Sequence, residues 1–407
     1  MRWSRCGRKR RSDCRKVMEQ KKIGLVLTGG GARAAYQVGV LKAISEFMPR
    51  RSHLPFQVVC GTSAGALNAA TLVLNARHFR KGVRFLLNIW NNANISDIYR
   101  ADAVGVLSNS GRWLAGLFLS FMGSRRLNRV SLLDNRPMQN FLEQVLPCEK
   151  IQEGIDTGLV HALSITASGY GSGHSVTFYQ GRAEISPWKR ARRVGIPTQI
   201  SIQHLMASSA ITFMFPAVHV NREYFGDGSM RQIAPISSAL HLGAERVLVV
   251  GVGNSATGEH EKRNKINNYP SLAEIAGHAL DSIFLDSLEV DLERLRRINQ
   301  TVSVIPEDMR GGIQLRYIEA LVITPSQPLE KIAERYVSNL SWAIRFLLRL
   351  VGVMRGSGAN LVSYLLFEKH YCRALIDLGY QDALSRRDEI LRFLDSESAP
   401  SASDLSQ

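Results

Sequence analysis

Between residues 23 and 76 the chain repeats one pattern: a short apolar run, a glycine-rich turn and a helix. The first run, Ile23–Thr28 (IGLVLT), leads into three glycines and a stretch, Ala32–Phe47, with helical spacing at Ala35, Val38, Leu41 and Ile44, closed by Pro49. The second, Gln57–Cys60, leads into Gly61-Thr62-Ser63-Ala64-Gly65 and an Ala/Leu-rich helix to about Ala76. Runs that are continuously apolar, rather than alternating, must be covered on both faces, as in a parallel sheet between helical layers. Strand, turn and helix in alternation therefore predict a doubly wound α/β sheet.

Later segments extend this expectation. His161–Ser168 and Ser175–Gln180 alternate like strands, with a hairpin-type turn over Gly169–Gly173. Ala217–Phe225 reads as a second hairpin turning near Asn221-Arg222, and Arg246–Val252 returns to the buried-strand pattern. Ser271–Asn299 reads as one long helix, Thr301–Ile305 and Ala320–Thr324 as strands, and the chain after Pro325 as helical to about Leu394. Residues 94–136 are irregular and read as a cap or loop excursion containing an apolar patch, Trp113–Met122.

Composition narrows the function classes. Of the net charge of +16, half comes from residues 1–22, where ten Lys/Arg face only Asp13 and Glu19. That head reads as a disordered extension, or as residues preceding a start at Met18; an arm for anionic lipid or nucleic acid is the functional alternative. No apolar stretch follows the charges before Ile23, so no secretory signal is read there. No run reaches the roughly 18 apolar residues of a membrane helix; the nearest, Trp342–Met354, carries Arg345 and Arg349 and reads as amphipathic. The five cysteines are odd in number and form no C-x-x-C pair, which predicts neither a zinc site nor a disulfide framework and suits a reducing, cytoplasmic setting. No metal or cofactor is expected.

Three motifs carry chemistry. In Gly61-x-Ser63-x-Gly65, small residues on either side let a sharp strand-to-helix turn present a serine hydroxyl at the sheet edge, beside the positive end of a helix. In Gly29-Gly30-Gly31-Ala32-Arg33, glycines opening a helix bare main-chain N–H groups to a phosphate or a tetrahedral oxyanion, and Arg33 adds charge or an anchor. A dinucleotide fingerprint (Gly29, Gly31, Ala34) would need an acid at the end of the second strand, but that strand ends in Cys60-Gly61 and Glu46 lies inside the preceding helix. In Phe225-Gly226-Asp227-Gly228-Ser229, an aspartate between two glycines can reach a site with little obstruction, although an Asx turn has the same signature.

Together, in this order, these motifs resemble the patatin-like phospholipase family over residues 23–250, and Met206–Val218, with its Ala-Ser-Ser-Ala run at 207–210, resembles the segment that leads to the family's aspartate. The long helix near Asp281–Arg297 and the region Ser363–Arg387 are similar to a bacterial cytoplasmic branch. The resemblance implies a three-layer α/β fold with a mostly parallel central sheet and a C-terminal helical region. With the charge of one end and the small-residue composition of the other, the resemblance divides the chain into a basic head (1–22), a catalytic domain (23–250), a continuation of the α/β core (251–325), C-terminal helices (326–395) and a disordered tail (396–407). It also implies lipid acyl ester hydrolysis by a Ser–Asp dyad: Ser63 as nucleophile, Asp227 as proton acceptor, an oxyanion hole at Gly29, Gly30, Gly31 and Arg33, and Gly61, Gly65 and Gly228 as motif glycines. Ser229 stands where the family usually has Gly or Ala, and Thr212 where many members have Pro. The expected partner is a lipid or acyl ester, and no nucleic acid; Trp113–Met122 reads either as a helix buried in the core or as a patch that contacts acyl chains or a membrane surface.

Two rivals carry distinct signatures. A Ser-Asp-His triad needs a histidine after the aspartate, and His241, His260, His278 and His370 are available. A non-catalytic lipid-binding scaffold would keep the fold without turnover.

Overall fold

Strand β1 (Ile23–Leu27) is buried at all five positions, the outcome its unbroken apolar run demands. Its side chains divide: Leu25 and Leu27 join one hydrophobic core, and Val26 joins a second on the opposite face of the sheet. The computed structural model of the chain describes residues 21–100, 131, 133–212, 214–253, 282, 287–306, 309, 315–339, 345 and 359–395. The basic head up to residue 20, Trp113–Met122, His260, His278, most of Trp342–Met354 and the C-terminal tail lie outside them.

After β1, a 3-10 turn (Gly31–Ala34) leads into helix α1 (Ala35–Phe47). Strand β2 (Val58–Thr62) leads directly into α2 (Ala64–Leu74), and α3 (Phe79–Asn91) follows with Phe79, Val83, Leu86 and Trp90 buried along one stripe. The remaining strands are β3 (Ala162–Gly169), β4 (Ser175–Gly181), β5 (Trp188–Arg190), β6 (Arg193–Pro197), β7 (Val218–Val220), β8 (Glu223–Asp227), β9 (Arg246–Val250) and β10 (Glu319–Ile323).

One ten-stranded sheet runs β10-β9-β1-β2-β3-β4-β6-β5, with β8 paired to β3 and β7 to β8 off this path. From β10 through β3 every neighbour is parallel; β4 turns back antiparallel on β3, and the β5–β6 hairpin closes the far edge. One core joins this sheet to α1, α2, α3 and the helix Lys369–Ser385. The other receives Leu288, Leu292 and Leu295 of the helix Ser287–Val304. The result is a three-layer α/β fold with a mostly parallel central sheet and C-terminal helices.

One expectation changes, and one hairpin is added. Thr301–Ile305 is not a strand: the helix begun at Ser287 runs on to Val304, with Val302 buried and Val304 out in solvent. The β5–β6 hairpin appears where the charged run at 188–193 conceals any two-residue alternation. Among the described residues no helix is long and apolar enough to cross a membrane.

The feature that positions the site is the register along β3. Strand β2 pairs with β3 only as far as Thr62 opposite Thr166. On the next rung, Ala167 pairs instead with Asp227 of β8, which runs antiparallel down to meet it. Ser63 thus leaves the sheet where Asp227 arrives.

Candidate active site

Ser63 is the hinge between β2 and α2. Its φ of 53° is left-handed, a conformation few side chains adopt, and it persists because both flanking elements are buried and fixed. The turn is tight: a side chain at Gly65 would strike the carbonyl of Leu27 at the end of β1, so only glycine lets α2 start this close to the sheet. Gly61 and Gly228 are buried on either side of the same junction.

The Ser63 hydroxyl donates to Asp227 Oδ2 at 2.6 Å, and both side chains are almost fully buried. The other carboxylate oxygen, Oδ1, accepts from the Ser229 amide at 2.9 Å, and the Asp227 amide donates to the carbonyl of Ala210. Position 229 contributes its main chain to this contact, and its side chain is buried. Burial pushes the Asp227 carboxyl up to about 6, against the lowering effect of the bonds from Ser63 and Ser229. A carboxylate with such a value is ionised at neutral pH yet close to it in basicity, as a base for a hydroxyl proton should be.

Ser208, in the Ala-Ser-Ser-Ala run, fixes the hinge. Its hydroxyl accepts from the Ser63 amide at 2.8 Å and donates to the carbonyl of Thr166 at 2.6 Å. This role has no local signature. The one available hint is that a serine inside the apolar stretch 206–218 must find partners if buried.

The glycine loop lies beside the hinge, and Gly31 shares a cavity with Ser63. Gly31 has φ 53°, and Gly30 accepts the Arg33 amide, closing the 3-10 turn. Among the described residues no acceptor pairs with the amides of Gly29, Gly30 or Gly31. The guanidinium of Arg33 takes a different direction. It is buried and donates to Ser363 Oγ at 2.7 Å, to the Tyr364 hydroxyl at 3.1 Å and to Asn360 Oδ1.

From Ser63 opens a narrow cavity. Its walls are almost wholly apolar: Leu67 of α2, Trp90 of α3, Leu142 of the helix Arg136–Val145, Ile211, Phe215 and Phe367. The polar edge of Trp90 is satisfied inside the protein, its Nε1 donating to Asn68 Oδ1 at 2.9 Å, and its ring stacks on Phe367. The void therefore presents hydrocarbon rather than donors. Its walls were not legible in the sequence, being drawn from segments about 300 residues apart; Trp113–Met122, a candidate contact for acyl chains, lies outside the described residues.

Of the candidate triad histidines, His241 ends a short helix (Ser237–His241) and stacks on Trp188, and His370 lies on the helix Lys369–Ser385. Neither is bonded to Asp227, whose described side-chain partners are Ser63 and the Ser229 amide.

Comparison with known proteins adds two findings. A family model described as "Patatin-like phospholipase" matches residues 25–240, just over half of the chain. Lysophospholipase nte1 of Aspergillus terreus is 45% identical over 56 residues, which is 14% of this chain and 3% of that protein.

Proposed function

Because the chain belongs to the patatin-like phospholipase family, we propose that it is a lipid acyl hydrolase working through Ser63 and Asp227. The observation that carries this reading is the 2.6 Å hydrogen bond from Ser63 Oγ to a buried carboxylate, at the mouth of an apolar cavity. The partial likeness to a lysophospholipase supports an acyl ester as substrate.

In the proposed reaction Ser63 Oγ attacks the ester carbonyl as its proton passes to Asp227 Oδ2. The carbonyl π electrons move onto oxygen, and the amides of the Gly29–Gly31 loop stabilise that charge; one such donor is typically worth about 3 kcal/mol. The tetrahedral adduct collapses, the C–O bond to the alcohol breaks, and Asp227 returns the proton to the leaving oxygen. An acyl-serine remains, its chain in the cavity. Water then attacks the acyl carbon with Asp227 again as base, releasing the carboxylic acid and restoring Ser63. The carboxylate does alone what a histidine does in a triad, and its raised pKa supports that assignment.

The test is hydrolysis of a short-chain chromogenic ester by the parent, Ser63→Ala and Asp227→Asn, each shown to be folded by circular dichroism. The parent should turn over and both variants should lose most of that rate. A folded parent inactive on short and long esters alike would overturn the reading and leave a lipid-binding scaffold. An active parent with an unimpaired Asp227→Asn variant would place the base elsewhere.

A further inference from the structure

Arg33 sits in the glycine loop, yet its side chain is committed to the other end of the chain. A buried guanidinium is tolerated only when its donors are paired, because desolvation is otherwise too costly. Here Nε donates to Ser363 Oγ, Nη1 to the Tyr364 hydroxyl and Nη2 to Asn360 Oδ1, while Glu330 lies 3.8 Å from the same nitrogen. The guanidinium also lies 4.0 Å from the centre of the Tyr364 ring.

Three of these partners belong to one short helix, Ala359–Leu365. That helix touches the loop a second time: the main-chain carbonyl of Tyr364 occupies the space a side chain at Gly31 would need. Tyr364 therefore holds the loop at two points, Gly31 by its backbone and Arg33 by its hydroxyl and ring. The segment continues into the site. The carbonyl of Leu365 accepts from the Tyr99 hydroxyl at 3.0 Å, and Phe367 forms part of the cavity wall.

We propose that Asn360, Ser363 and Tyr364 are positioning residues that act through Arg33, setting the glycine loop so that its amides face the acyl carbonyl at Ser63. This rests on the hydrolase reading above. The C-terminal segment is then a working part of the active site. A planar fork with several fixed acceptors defines orientation in a way a single lysine ammonium cannot. Orientation matters because a misplacement of about 1 Å in a catalytic group can cost about 100-fold in rate.

The experiment compares the parent with Tyr364→Phe, Asn360→Ala, Asn360→Asp and Arg33→Lys in the full chain. It measures kcat and KM on a short-chain ester, the rate of Ser63 labelling by a small phosphonate ester, and the melting temperature. Asn360→Ala and Arg33→Lys should lower kcat at least about tenfold with KM within about twofold. Phosphonate labelling should slow in parallel, since it passes through the same tetrahedral geometry. Asn360→Asp keeps an acceptor and should recover most of the rate, and Tyr364→Phe, the mildest change, should show the same pattern more weakly. Folded variants with parental kcat would overturn the proposal, as would lowered melting temperatures with no change in kcat or labelling. A folded parent that turns over no ester would overturn the hydrolase reading and this inference with it, whereas an active parent with unaffected variants overturns only this inference.

Discussion

Replacing Asp227 with asparagine should abolish turnover and make the protein more stable. Burial raises the carboxyl from 3.8 to about 6, so keeping it ionised in the folded state costs roughly 3 kcal/mol. The folded protein holds this proton more tightly than the unfolded chain does. Stability linked to Asp227 is therefore fully present below about pH 4, is lost as pH rises to about 6, and stays lost above it. Asparagine is neutral throughout and matches the carboxylate in shape. Its oxygen can accept from the Ser229 amide, and its NH2 can donate to Ser63 Oγ. The variant's advantage should be under about 1 kcal/mol at pH 4 and roughly 3 kcal/mol at pH 8. For a chain of this length that is about 4 °C in melting temperature, with an entropy of unfolding scaled to its size. The assay is thermal and urea unfolding of both proteins from pH 4 to pH 8. If Asp227→Asn melts at or below the parent at pH 8, or if its advantage is the same at both ends of the range, the carboxylate is not held at a cost and the reasoning fails.

Further predictions concern the surroundings of the dyad. kcat/KM on a soluble ester should rise with pH through about 6, as Asp227 ionises, and then level off; a profile flat from pH 5 to 8 would contradict the assignment. Ser208→Ala removes the acceptor of the Ser63 amide and the donor to Thr166, which should cost about 1–3 kcal/mol in urea unfolding together with a fall in kcat; parental stability and rate would count against its role. Gly31→Ala forces a side chain into the Tyr364 carbonyl at a left-handed backbone position and should destabilise by at least about 1 kcal/mol; an unaffected melting curve would contradict the packing described. Ala93→Trp fills part of the cavity and should cut turnover of long-chain relative to short-chain esters at least about tenfold; an unchanged ratio means that the acyl chain lies elsewhere.

What could be read in the sequence follows the distance between cooperating residues. The Ser63 hinge and the glycine loop are local, each a strand, a turn and a helix within a few residues, so their placement was legible. Asp227 stands in a D-G pair that most often marks a simple turn; the family resemblance assigns its role, and its approach to Ser63 depends on β8 pairing with β3, which no local pattern encodes. The destination of Arg33 was harder still, because Asn360, Ser363 and Tyr364 carry no mark of their role. The expectation of a strand at 301–305 fails because β-branched residues near a helix end mimic a strand, whereas these continue the helical turns before them.

The shared register on β3 also orders events in time. As the chain is synthesised, Ser63 emerges 164 residues before Asp227, and Arg33 precedes Tyr364 by 331. Contacts so distant along the chain form late, since loop closure must be met before they reward it. In the proposed reaction, a chain that has not yet reached Asp227 therefore carries a serine with no base to activate it. The hydrolytic power of the dyad would arrive with these distant contacts, not with the local turn that presents the serine.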